Sequence, residues 1–71
     1  MIAMYEVAPH ETSIPILETP NKERAIKAAR DWCASNDKDC NVYEILYANE
    51  KNKGKGLHYT KTPIWNSLFH E

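Results

Sequence analysis

Between Asn41 and Tyr47 the chain places apolar groups on both sides of one short stretch, Tyr43, Ile45 and Tyr47 alternating with Val42, Glu44 and Leu46. A period of two with this density of β-branched and aromatic residues marks a strand. A strand apolar on both sides belongs inside a sheet, and both faces of that sheet then need cover. With 71 residues in all there is interior surface for one core only. Residues 1–71 therefore read as a single small domain.

Hydrophobic residues make up 42% of the chain, the net charge is −1 and there are two glycines. This fits a globular domain and excludes a disordered, collagenous or repeat sequence. No run approaches the ~18 consecutive apolar residues of a membrane span. Met1-Ile2-Ala3-Met4-Tyr5-Glu6 has neither the basic segment nor the apolar run of a signal peptide. A soluble, cytoplasmic protein without a membrane partner is expected.

The remaining elements follow from periodicity. Ile2 to Val7 alternates as a strand, and Ala8 to Ser13 has loop composition. Ile14 to Glu18 looks extended, but Pro15 has no N–H for a ladder, so a strand here lies at a sheet edge or is very short. Thr19-Pro20 reads as a helix start. Ala25/Ile26, Ala29 and Trp32/Cys33 then recur at helical spacing, opposite Lys22, Glu23, Lys27, Arg30 and Asp31. Glu23 and Lys27 form an i,i+4 pair, and Ser35-Asn36-Asp37 ends the helix. Ala48 to Gly56 reads as the polar tip of a hairpin leading into a strand at Leu57 to Lys61. Thr62-Pro63 repeats the helix-start signal, so residues 62–71 are expected as a short helix or an apolar tail.

The order is β-β-α-β-β plus that tail: an α+β, two-layer fold, a small antiparallel sheet packed on one main helix. One helix covers one sheet face. The candidates to cover the other are the Trp65/Phe69 tail, a second copy of the chain, or a foreign partner.

A domain this small often carries a staple. Cys33 and Cys40 flank the polar stretch 34–39 and can lie close together; a reducing cytosol favours two free thiols. His10, His58 and His70 show no paired ligand spacing with them, so no metal or other cofactor is expected. His10-Glu11 opens like H-E-x-x-H, but position 14 is Ile. Glu6, Glu18 and Glu44 are scattered over strands, and Cys33 with His58 is less natural as a catalytic pair than as a buried thiol and a surface imidazole. Gly54-Lys55-Gly56 lacks the phosphate-loop pattern. No catalytic constellation emerges, and the chain is not expected to be an enzyme.

Charge is the feature left over. Residues 1–50 hold five basic and nine acidic groups, whereas residues 51–71 hold four lysines and one glutamate. Lys51, Lys53, Lys55 and Lys61, with Tyr59 and Trp65 nearby, form the candidate partner-binding set: a basic finger suited to an acidic protein surface or a phosphate backbone. The same lysines equally serve to keep a loop soluble and guard a sheet edge. Asp31, Asp37 and Asp39 form an acidic counter-pole. Tyr5, Tyr43, Tyr47 and Tyr59 offer aromatic rings for one sheet face, as in modules that stack bases.

Tyr5-Glu6-Val7, Ile16-Leu17-Glu18, the helix Ala25-Ile26-Lys27-Ala28-Ala29-Arg30, Val42-Tyr43-Glu44-Ile45, a glycine-containing hairpin and a Trp near the end together resemble the small phage β-β-α-β-β proteins of the anti-CRISPR type. The resemblance lies in element order over most of the chain. It implies a non-catalytic inhibitor that occludes the nucleic-acid-binding surface of a larger host protein or nucleoprotein complex. The alternative is a single-stranded nucleic-acid-binding module built on the basic hairpin and a tyrosine-bearing face, and a third reading is a homodimer subunit.

Overall fold

The computed structural model describes residues 1–11 and 14–69, with Phe69 described by its backbone. Thr12 and Ser13 of the expected first loop, and His70 and Glu71 of the tail, lie outside the described residues. The chain runs β1 (Ile2–Pro9), β2 (Leu17–Thr19), α1 (Lys22–Asn36), β3 (Cys40–Tyr47), α2 (Glu50–Lys55), β4 (Thr60–Asn66) and a short 3-10 turn (Ser67–Phe69). The sheet order is β2-β1-β3-β4, antiparallel throughout. The α+β two-layer fold and its β-β-α-β-β order match the reading of the sequence, with α2 as an addition. Within the described residues no helix is long and apolar enough to cross a membrane.

β2 is both an edge strand and only three residues long, as the proline at position 15 leads one to expect; just before it the Ile16 amide donates to Val7 O at 2.8 Å. The helix begins later than expected. Thr19 is buried at the end of β2, and its Oγ1 accepts from the Asn21 amide at 3.2 Å. Asn21 is the N-cap, its Oδ1 accepting from the Arg24 amide at 3.0 Å. At the other end Asp37 takes a left-handed conformation, φ 53°, which a short polar side chain tolerates. The expected Glu23–Lys27 pair gives way to Lys27–Asp31, 3.0 Å apart and exposed, so its effect on stability is small.

α1 packs on β1, β2 and β3 with the face its spacing predicts. Ala25 and Ala29 are fully buried against Val7, Cys40 and Val42, and Tyr5, Leu17, Ile26, Trp32 and Cys33 close the margin. Alanines at the two central positions let the helix backbone approach the sheet closely. Tyr5 lies on this helix side and its hydroxyl donates to Glu44 Oε2 at 3.0 Å.

The C-terminal segment departs most from expectation. Thr62-Pro63 does not start a helix: β4 runs through both residues, pairing Thr62 with Glu44 and Pro63 with Tyr43. β4 is an edge strand, where a missing N–H is tolerated. Between Tyr43 and Val42 the register shifts, so that Pro63 faces Tyr43 and Trp65 faces Val42, with Ile64 as the extra residue. In an unbroken strand Lys61, Pro63 and Trp65 would share the far face. The bulge turns Trp65 to the helix side, where it and Ile64 pack beside Val42. Trp65 therefore does not cover the far face; the Phe69 side chain, the other half of that expectation, lies outside the described residues. The turn after β4 is tied to the start of β3, through Ser67 Oγ accepting from the Cys40 amide at 3.1 Å and donating to Asp39 Oδ1 at 2.9 Å.

The expected lysine-rich hairpin tip is a helix. Asn49 caps α2, its Oδ1 accepting from the Asn52 amide at 2.9 Å. Gly56 ends it at φ 72°, the left-handed position that glycine takes without strain, and its amide donates back to Lys53 at 3.1 Å. β4 then starts at Thr60, so Leu57 to Tyr59 form a connection and not the expected strand.

Candidate functional site

The far sheet face is built from every second residue: Ile2, Met4 and Glu6 of β1, Tyr43, Ile45 and Tyr47 of β3, and Lys61 of β4. Although α1 packs on the opposite face, Met4, Ile45 and Tyr47 are only 7%, 4% and 6% exposed. Ile2 and Tyr43 pack against them, half-buried. Part of the cover comes from a long side chain on the neighbouring strand. Lys61 reaches from β4 over the Tyr43 ring of β3, its Nζ 4.9 Å from the ring centre, to Glu6 Oε2 on β1 at 2.9 Å. A lysine stem is apolar enough to shield the surface it crosses while its head finds a charge. The cation also gains from the ring face.

Glu6 is the unusual member, a carboxylate whose side chain is 8% exposed. Its enclosed Oε2 has the Lys61 ion contact and no well-angled hydrogen-bond donor among the described residues. The pairing with Glu6 raises the Lys61 pKa above the usual lysine value, against burial, which lowers it. Burial pushes up the Tyr47 hydroxyl, helped by the Glu18 and Glu6 carboxylates and opposed by Lys61. The hydrogen bond to Glu44 likewise raises Tyr5.

The candidate binding residues separate into two groups. Lys61 is engaged with Glu6, and Trp65 is half-buried against the core, so neither stands free as an anchor. Lys51, Lys53 and Lys55 all lie on α2, where Lys51 and Lys55 are exposed one turn apart and Lys53 is half-buried on another side, and Tyr59 follows in the connection, 68% exposed. Leu57 beside it, 57% exposed, is a residue that sequence reasoning assigned to a strand. The four tyrosines do not share one face: Tyr43 and Tyr47 lie on the far side, Tyr5 on the helix side and Tyr59 outside the sheet. The acidic counter-pole is largely engaged, Asp31 with Lys27 and Asp39 with Ser67.

Cys33 and Cys40 come together, their sulfurs 3.0 Å apart as two thiols. His58 sits near the end of β3 opposite to the cysteines, because its neighbour Tyr59 donates its amide to Leu46 O at 2.6 Å. Cys33 and His58 are therefore not a pair. Among the described residues no three His, Cys, Asp or Glu side chains gather as a metal site would require.

Fold and surface define a small α+β domain with a buried far sheet face and, after the α2 lysines, an exposed apolar segment at Leu57 and Tyr59; Ile14, Ile16 and Leu68 are exposed elsewhere. No protein-family model matches the chain, and neither does any curated protein or solved structure.

Proposed function

We propose that this chain is a small non-catalytic binding protein that covers a surface of a larger partner, with residues 51–59 as its contact segment. The observation that carries this reading is the exposure of Leu57 and Tyr59 directly after three lysines. The segment is held at both ends, by the Asn49 cap and by the Tyr59–Leu46 hydrogen bond. Large apolar side chains presented on a fixed backbone serve as anchors, and neighbouring cations speed and orient approach to an acidic patch. The narrower form of the proposal is a phage-type inhibitor of the anti-CRISPR kind. There the segment docks on an acidic patch and the body of the domain occludes the adjoining nucleic-acid site of the host complex. Its support is the small size and the β-β-α-β-β layout.

Expression in a bacterium whose active CRISPR immunity blocks a targeted phage tests the narrower form: plaque formation is expected to be restored, and the Lys51/Lys53/Lys55→Glu variant to lose that effect. With a purified effector complex, the same charge reversal is expected to weaken binding by at least about tenfold, mainly through slower association. Unchanged binding removes the segment from the interface. The single-strand-binding alternative lacks a shared tyrosine face to stack on. It would regain ground if oligonucleotide affinity fell with salt at a log–log slope near −2, the value for about three neutralised phosphates.

A further inference from the structure

Cys33 and Cys40 are seven residues apart, one in the last turns of α1 and the other opening β3, and their sulfurs touch at 3.0 Å. A disulfide needs these two atoms about 1 Å closer. Cys40 is fully buried, its thiol directed also at the Ala29 carbonyl 3.6 Å away. Cys33 is half-buried and borders an open cavity of about 620 Å³, with Arg30 and Lys38 as well as Asp37 and Asp39 on its walls. Cys33 is thus the outer member of the pair and Cys40 the enclosed one.

We propose that Cys33 and Cys40 are a reversible thiol–disulfide site, oxidised by exchange with a low-molecular-weight disulfide of the glutathione type. The Cys33 thiolate attacks one sulfur of the small disulfide, whose S–S bond breaks to release one small thiolate and leave a mixed disulfide on Cys33. Cys40 then gives up its proton and attacks the Cys33 sulfur, expelling the second small thiol. Two protein thiols are oxidised and one small disulfide is reduced to two thiols, so electrons and protons balance. The order of attack follows from burial, which pushes the Cys40 thiol up to about 12 and keeps it from acting first. The product staples the end of α1 to the start of β3.

The test is incubation of the reduced full chain with oxidised glutathione. The expected product has lost the mass of two hydrogen atoms, exposes no titratable thiol, and melts roughly 10 °C higher, reverting on reduction. Cys33→Ser is expected to keep the fold while showing neither the mass loss nor the shift. Cys40→Ala is expected to stop at the mixed disulfide; if it fails to fold, Cys33→Ser still decides the matter. Two thiols that stay titratable in excess oxidant, or a wild-type chain that stops at the mixed disulfide, would overturn the proposal. A bonded form with an unchanged melting temperature would overturn the staple.

Discussion

Lys61→Met is expected to destabilise the domain by about 3 kcal/mol, lowering the melting temperature by roughly 15 °C. The Glu6 side chain is 8% exposed and that of Lys61 39%. Removing the cation strands an enclosed carboxylate, whereas the lysine itself returns part of its own hydration, which places the loss at the low end for a broken buried pair. Methionine keeps much of the apolar stem over Tyr43, so the measured loss reports the charge more than the packing. Glu6→Gln in the same background removes the stranded charge and is expected to recover most of the stability. Urea unfolding of the four proteins of that cycle measures the coupling. A double variant no more stable than Lys61→Met would show that the pair matters only as packing.

Stability is expected to fall steeply on the alkaline side, by a few kcal/mol between pH 9 and about 12. Burial, with the Cys33 hydrogen bond second, raises Cys40 from 9.0 to about 12. Tyr5, Tyr47 and Lys61 shift upward as well, for the reasons given above. In each case the folded chain holds a proton that the unfolded chain releases at lower pH. The unfolded state therefore binds fewer protons and stability declines as pH rises. The contribution is complete below the unfolded values and disappears as the folded ones are passed. Urea midpoints taken from neutral pH upward should drop from near pH 9, and Cys40→Ala should flatten the first part of that slope. Midpoints that hold steady to pH 11 would contradict these assignments.

What the sequence made legible, and what it hid, follows the range of the interactions. α1 was readable because Ala25, Ala29 and Trp32 repeat at helical spacing and are the residues that pack. β3 was readable because Val42 and Ile45 are both buried, on opposite faces. α2 was missed because six residues are too few to display a period; its local marks were Asn49 and Gly56 at the caps, with Glu50 in the first turn and Lys53 and Lys55 in the last. Thr62-Pro63 imitates a helix start, and pairing with Glu44 and Tyr43 overrides that local preference. The bulge at Ile64 has no clear local mark, yet it decides which side Trp65 takes. The Glu6–Lys61 pair was the least legible feature. It joins two strands that are not neighbours, across Tyr43 of a third, and neither residue's surroundings in sequence announce it.

That pair also changes the meaning of the strand with two apolar sides. Its far side asks for cover, and the expected sources were the tail, a second copy or a partner. The chain supplies the cover from side chains already on the sheet. The surface proposed for a partner is the segment around Leu57 and Tyr59, whose side chains are exposed.

The most direct test of this self-sealed face is the melting temperature of the chain alone over a roughly hundred-fold range of concentration, because a face closed by association opens on dilution. The sealed face predicts the same midpoint throughout, with a monomer mass of 8.2 kDa at every concentration. A midpoint that falls with dilution, accompanied by dimer at the higher concentrations, would contradict it.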